Sequence, residues 1–476
     1  MKLKFYFDLL RAFLWGFRKR RLAIENSVID DVSIWKRKRY LVFLLLSLGF
    51  MCVAFMKICL AVAIVEMAGD DHDFDWDTRK QGFVISTFLY GYITSQLLGG
   101  LACRKFSPIH IFSTGVGVAG LLAILLPSVA ELGYEWVMVL RIVQGFMLGT
   151  SYPVLLTLIT RWALMHERAR LISLALFGMY TGGVLSLPVS GALIAAFGWR
   201  SVFTVSGSCG LIWALVFVSV VKAGPEVDVL ITEREKMFIL QQLEGITPKQ
   251  HVIPWKGIFT SSGVWAIAAM AFAQMWGSST YLAQLPRFLK DVMHLSIDEA
   301  AFLSACPFLF TCISMLVSGF IVDLVIQKRF FTAHQTRRLF TLFAYVLQTT
   351  LVVTSIHLPD KISFIVVLTL GVIWEPLAIA CFTVNIVDLC PVSAPIILSL
   401  TSTVSSIAGI LTPIAVGFLA QNKTLKEWQT IFYIIGTFYI AAATIYWIFS
   451  KSDIQPWSPV KNRPENNQNT QNTETP

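Results

Sequence analysis

Three ionisable side chains interrupt long apolar runs: Lys57 in AFMKICLAV, Arg141 in VLRIVQG and Glu375 in GVIWEPLAI. A Lys, Arg or Asp at the centre of a membrane helix costs ~3 kcal/mol on insertion scales, so such residues face a cavity or a partner. Two fixed cations over a water-filled cavity favour an anion. Arginine also offers a planar fork matched to carboxylate or phosphate. Glu375 is followed by Pro376, and proline kinks a helix and frees a backbone carbonyl that water or a hydroxyl must reach. Gln144, Gln274 and Asn385 continue the polar lining. The expected substrate-binding set is therefore Arg141, Lys57, Gln144, Gln274 and Asn385, with Glu375 as the ion-coupling group. Na+ or H+ is the coupling ion to test, and no other cofactor is implied. Two bland alternatives stay open. Arg141 lies about a turn from the outer end of its run and has room to snorkel to the headgroups. Lys57 and Glu375 lie at similar depth and would suit a structural ion pair.

The elements that carry these residues are membrane helices. The chain of 476 residues is 55% hydrophobic and 14% charged, and apolar runs of ~20 residues read as spans. Twelve are expected, at roughly 40–67, 81–102, 109–131, 137–160, 172–198, 202–223, 264–289, 300–326, 340–357, 363–389, 396–421 and 430–450. Lys57 falls on span 1, Arg141 on span 4, Gln274 on span 7 and Glu375 on span 10. With both termini cytosolic, 28 of the 38 Lys+Arg lie in the tails and inner loops and 8 in outer loops. That asymmetry sets orientation and explains the net charge of +9 without a nucleic acid. The first outer loop, GDDHDFDWD, is acidic. The eight cysteines sit in spans or at inner ends, with neither an outer pair for a disulfide nor metal-ligand spacing. No His/Asp or Cys/His constellation lies in the spans: His166 and His251 are on loops, and His110 at the inner end of span 3 has no acidic neighbour. An enzyme is not expected.

Five segments follow: a basic cytosolic N-terminal segment (1–39), a first six-helix bundle (40–223), a cytosolic central segment (224–263), a second bundle (264–450) and a disordered tail (451–476). The N-terminal segment lacks a small-residue cleavage site and reads as an amphipathic helix on an anionic leaflet. In the central segment Thr232 and Glu235 have capping-box spacing. The halves echo each other: GGLACRK (Gly99, Gly100, Arg104) follows span 2, and GFIVDLVIQKR (Gly319, Asp323) follows span 8. Glycine lets two helices approach, and the following charge meets a neighbouring helix end. Two parallel six-span repeats form the architecture of the major facilitator superfamily, with the site between the halves near the midplane.

The chain resembles one branch of those facilitators, the solute carrier family of sialin, the vesicular glutamate transporters and the sodium/phosphate cotransporters. The resemblance runs from about residue 40 to 457. It rests on LAVAIVEM (60–67), FDWDTRKQG (74–82), FLYGYITSQLLGG (88–100), RIVQG (141–145), ERARL (167–171), LPVSG (187–191), GWRSVF (198–203), VNIVDLCP (384–391), KEWQTIFYI (426–434) and QPW (455–457). The resemblance implies arginines on helices 1 and 4 that engage the anion. Arg141 stands at the second place, and Lys57 at the first keeps the charge but not the fork. The family's proton-carrying glutamates on helix 4 correspond to Gln144 and Leu148. A histidine on helix 2 and an arginine on helix 7 of the vesicular glutamate transporters correspond to Ile85 and Gln274. Glu375 stands where the family pattern has a small residue. The implied function is alternating-access, cation-coupled transport of a small organic or inorganic anion by a multi-pass monomer. It would lie in the plasma membrane or a lysosomal or vesicular membrane. The alternatives are a sodium-dependent inorganic phosphate cotransporter, with Thr383 and Asn385 supplying oxygen ligands, and a transport-incompetent sensor or scaffold.

Overall fold

The computed structural model describes residues 38–67, 74, 76, 78–164, 166–243, 253–295, 297–358, 360–421 and 424–458. The expectations for the amphipathic N-terminal segment, most of the acidic loop, His251 and the tail beyond Ser458 lie outside those residues.

The described chain is helical. The first half comprises α1 (Lys38–Met67), α2 (Thr78–Lys105), α3 (Pro108–Ala130), α4 (Tyr134–Leu148), α5 (Ser151–Trp162), α6 (Arg168–Phe197) and α7 (Arg200–Val220). The short helices α8 (Glu233–Leu243) and α9 (Trp255–Thr260) follow. The second half comprises α10 (Ser262–Asp291), α11 (Ile297–Gln327), α12 (Ala333–Ser355), α13 (Lys361–Val372), α14 (Glu375–Leu389), α15 (Ala394–Leu419) and α16 (Leu425–Phe449). Two spans are broken: α4 and α5 make span 4, interrupted at Gly149–Thr150, and α13 and α14 make span 10, interrupted at Ile373–Trp374.

Ten of the twelve spans pass a simple test of length and apolarity. The exceptions are α2 and α10, which at 28 and 30 residues are long enough. They fall short because they carry Gln81, Thr87, Ser95 and Gln96, and Gln274, Ser278, Ser279 and Thr280. Both helices face polar partners as well as lipid, and that lowers their apolar content.

In the first half α1 packs on α6 and α7, α2 on α4, and α3 on α7 and α4. In the second, α10 packs on α15 and α16, α12 on α16 and α14, and α11 on α14. The halves meet where α6 touches α11 and α14, and where α2 and α5 touch α15. Each half has an aromatic centre whose rings meet in edge-on, tilted or stacked geometry. Phe112, Trp213 and Phe217 form one, and Phe288, Phe364, Trp428 and Phe432 the other.

Candidate functional site

Arg141 is 1% exposed, so it does not snorkel to the headgroups. Its guanidinium crosses from α4 to α1, where Nη1 donates to Met56 O (3.0 Å) and Nη2 to Lys57 O (3.0 Å). Nη1 also donates to Gln144 Oε1 at 2.7 Å, and the plane lies over the Phe88 ring, 4.6 Å from its centroid. Gln144 in turn donates from Nε2 to Ala119 O of α3 (3.0 Å). Both residues expected to hold substrate are thus tied to protein in this conformation. They clamp α3 and α4 onto the turn of α1 that bears Lys57.

Lys57 itself is half-buried. Among the described residues its ammonium makes no hydrogen bond or ion pair. It lies over the Tyr92 ring of α2, 5.6 Å from the centroid, a cation–π contact that tolerates a desolvated ammonium without neutralising it.

Glu375 opens α14 and is 1% exposed. Its Oε1 accepts from Gln274 Nε2 (2.9 Å) and from Ser278 Oγ (2.5 Å), both on α10. Gln348 of α12, Tyr180 of α6, Tyr281, Tyr345 and Tyr439 lie within electrostatic reach of the carboxyl. No Lys57–Glu375 ion pair forms among the described residues, so the structural pair considered from the sequence is absent. The break beside Glu375 follows from Pro376. Leu377 N donates to Trp374 O, which leaves Ile373 O to be met by the Ser314 hydroxyl of α11. The hydroxyl demanded by the proline comes from a neighbouring helix.

Asn385 is not brought to this place. It is fully buried near the far end of α14, where Nδ2 donates to Tyr446 OH (2.9 Å) and Oδ1 accepts from Ser452 Oγ (3.3 Å). The expectation that Asn385 lines the cavity or offers an oxygen to sodium is corrected on that ground: its amide joins span 10 to span 12 and the segment after it.

The end where the described chain begins, at Lys38, and ends, at Ser458, is closed between the halves. Asp323 of α11 accepts from the backbone N–H of Ala169 (3.3 Å) and Arg170 (2.7 Å), in the first turn of α6. Arg168 donates to Asp388 of α14 at 3.4 Å, and Arg337 of α12 pairs with the same carboxylate. A Cβ on Gly319 would overlap Ser173 Oγ, and one on Gly100 would overlap Ser399 Oγ. Gly99 lets α2 approach Thr150, at the break in span 4. Arg104 sits exposed in the last turn of α2. Sequence reasoning placed Gly319 and Asp323 at a helix contact but missed Arg168, Arg337 and Asp388. It also missed Ser278, Tyr180 and Gln348; the available signal was Gln274 and Ser278 at i, i+4 on one face of α10.

A family model described as Major Facilitator Superfamily matches residues 46–413. Vesicular glutamate transporter 1 of Xenopus tropicalis is 30% identical over 452 residues, covering 91% of this chain and 78% of that protein. Sialin of Homo sapiens is 29% identical over 448 residues, covering 88% of this chain and 90% of that protein. A proton:xylose symporter structure superposes with a TM-score of 0.66 at 15% identity, covering 89% of this chain and 97% of that one.

Proposed function

Because the chain belongs to the Major Facilitator Superfamily, in the branch of the vesicular glutamate transporters and sialin, we propose that it carries a small anion across its membrane by alternating access, together with a cation. It is an integral, multi-pass transporter and not an enzyme. The observation that supports the anion reading is Lys57, a half-buried ammonium over the Tyr92 ring with no acid beside it among the described residues. Arg141 adds positive potential behind it and fixes the turn it stands on. Glu375, on the opposite half and next to Gln274, takes the accompanying cation. Asp323, Arg168 and Asp388 hold the terminal end shut while the site is loaded, and the halves rock to release it. Relatives named as vesicular transporters support a vesicular membrane.

The test is uptake into proteoliposomes of labelled phosphate, glutamate, sialic acid and urate, under separate sodium and proton gradients. At least one anion should be concentrated by one of the two gradients, and Lys57→Gln should abolish that uptake. Glu375→Gln should stop gradient-driven accumulation but still exchange anion for anion. Uptake unchanged by Lys57→Gln would remove the anion site from Lys57. Accumulation that survives Glu375→Gln would remove the cation from Glu375.

A further inference from the structure

The stretch Gln455-Pro456-Trp457 takes no part in the site at Lys57 and Glu375, yet it is firmly placed. Proline presets φ for the second position of a β-turn, and Ser458 N donates to Gln455 O at 2.8 Å to close one over 455–458. Gln455 is 6% exposed, and its side chain folds back so that Nε2 donates to Asp453 O (2.9 Å). The segment meets α14 and the residue after it in three places. Ser452 Oγ donates to Asn385 Oδ1 (3.3 Å), Gln455 N donates to Leu389 O (3.0 Å), and Ser458 Oγ lies 3.3 Å from Cys390 Sγ. These contacts fall on both sides of Asp388, the carboxylate that pairs with Arg168 across the halves and with Arg337 within its own half.

Asp388 stands where it needs such support. In the last turn of a helix the macrodipole disfavours an acid, and the final backbone carbonyls lack helical partners. Gln455 N–H supplies a partner to one of them, Leu389 O. Trp457 in turn pins the segment. Its indole lies over Gly257 of α9, the last helix of the stretch that joins the two halves. A Cβ on Gly257 would stand 2.5 Å from Trp457 Cγ and 2.6 Å from its Cβ. Those are root atoms of the side chain, which cannot swing clear as the tip of a flexible chain would.

We propose that residues 451–458 form a strap in which Gln455 and Trp457 are positioning residues. Seated in the notch at Gly257, they hold the end of α14 so that Asp388 meets Arg168 and the terminal end closes. The strap acts through Asp388 and touches no substrate. This rests on the proposed role of Asp388 in holding that end shut. It adds that closure depends on a contact between the segment after span 12 and the stretch joining the halves, so that lifting Trp457 from Gly257 opens the terminal end.

Spin labels at Lys105→Cys and Lys328→Cys of the full-length protein, in a Cys209→Ser background that removes the exposed native thiol, read the ratio of open to closed terminal ends. Trp457→Ala should raise that ratio roughly fivefold, the size of one backbone hydrogen bond. Trp457→Phe keeps a ring on Gly257 and should recover most of the closed population. Gly257→Ala should open the end as Trp457→Ala does. Alanine favours a helix more than glycine, so opening there would not reflect a weaker α9. In an Asp388→Asn background neither change should alter the ratio further, a dependence that a role in folding alone would not produce. Should Trp457→Ala fail to fold, Gly257→Ala carries the same test. An end opened by Asp388→Asn but unmoved by Trp457→Ala and Gly257→Ala would overturn the strap and leave Asp388 as the latch. Equal shifts with and without Asp388 would overturn action through that carboxylate. Distances unchanged by Asp388→Asn would overturn both the strap and the latch.

Discussion

Arg141 binds protein where a ligand was expected, and that changes what its loss would do. Its fork joins two carbonyls of α1 to Gln144. The carbonyls have other partners in the helix ladder, but without the guanidinium Gln144 Oε1 is left with no donor. A buried unsatisfied acceptor costs roughly 1–3 kcal/mol in soluble proteins, and membrane hydrogen bonds average about 0.6 kcal/mol. Arg141→Ala should therefore abolish uptake and also lower the unfolding midpoint. Arg141→Lys should retain little uptake, because one ammonium cannot reach all three acceptors. The tie to Gln144 predicts non-additivity of about 1 kcal/mol between Arg141→Ala and Gln144→Leu in a double-mutant cycle of unfolding. Additive losses would separate the two residues. Lys57, Gln274 and Glu375 were legible in the sequence because a charge or amide inside an apolar run has to be accounted for. Which way such a side chain turns is set by its neighbours. Asn385 and Gln144 meet the same criterion as Gln274, yet one faces Tyr446 and the other Ala119 O. Tyr180 and Gln348 gave no comparable signal, since phenols and isolated amides also serve helix packing.

Among the elements, the contact of α11 with the start of α6 has the clearest energetic content. Asp323 meets two backbone N–H groups that have no partner within their own helix. A carboxylate at such a helix end contributes about 0.3–1 kcal/mol, and up to ~2 kcal/mol when partly buried. Asp323→Asn keeps an acceptor and loses the charge. A loss of about 1 kcal/mol changes the ratio of closed to open terminal ends roughly fivefold. Spin labels on Lys105 of α2 and Lys328, just past α11, should then show a larger population at long distance. An unchanged distance distribution would mean that Asp323 does not hold this end closed. The twelve spans were legible from apolar run length, but their ends were less so. The ninth begins at Ala333 instead of about 340, because Thr332 and Gln335 form a capping box that extends it through the polar turns AHQTRRL. Thr232 and Glu235 have the same spacing. There the Glu235 carboxylate accepts from Lys38 N (2.9 Å) and Arg39 N (3.4 Å), so it caps α1. The break in span 4 at Gly149–Thr150 was not anticipated. Gly149 itself has an ordinary helical φ of −69°, so glycine's backbone freedom is not the cause. It permits close approach instead, since a Cβ there would overlap Ser95 Oγ and Tyr92 O of α2.

At the scale of the whole molecule, charge and closure concern the same face. Twelve crossings put both ends of the chain on one side, and 28 of the 38 Lys+Arg lie on that side. Several of those bases pair locally: Lys38 with Asp228 (3.6 Å), Arg39 with Glu167 (3.0 Å), and Arg168 and Arg337 with Asp388. Pairing of this kind neutralises individual bases in the folded state, but the orientation rule counts Lys and Arg alone. The terminal side should therefore be cytosolic, and because that side is closed between the halves, Lys57 and Glu375 should be loaded from the opposite compartment. Two exposed positions separate the possibilities: Leu132, between α3 and α4, is 70% exposed, and Val229, before α8, is 91% exposed. In a Cys209→Ser background, which removes the exposed native thiol, a membrane-impermeant maleimide applied to intact plasma-membrane-directed cells should label Leu132→Cys. Val229→Cys should react only after permeabilisation. The reverse pattern would place the termini outside, contradict the charge rule for this chain, and make the cytosol the compartment from which the described conformation takes its substrate.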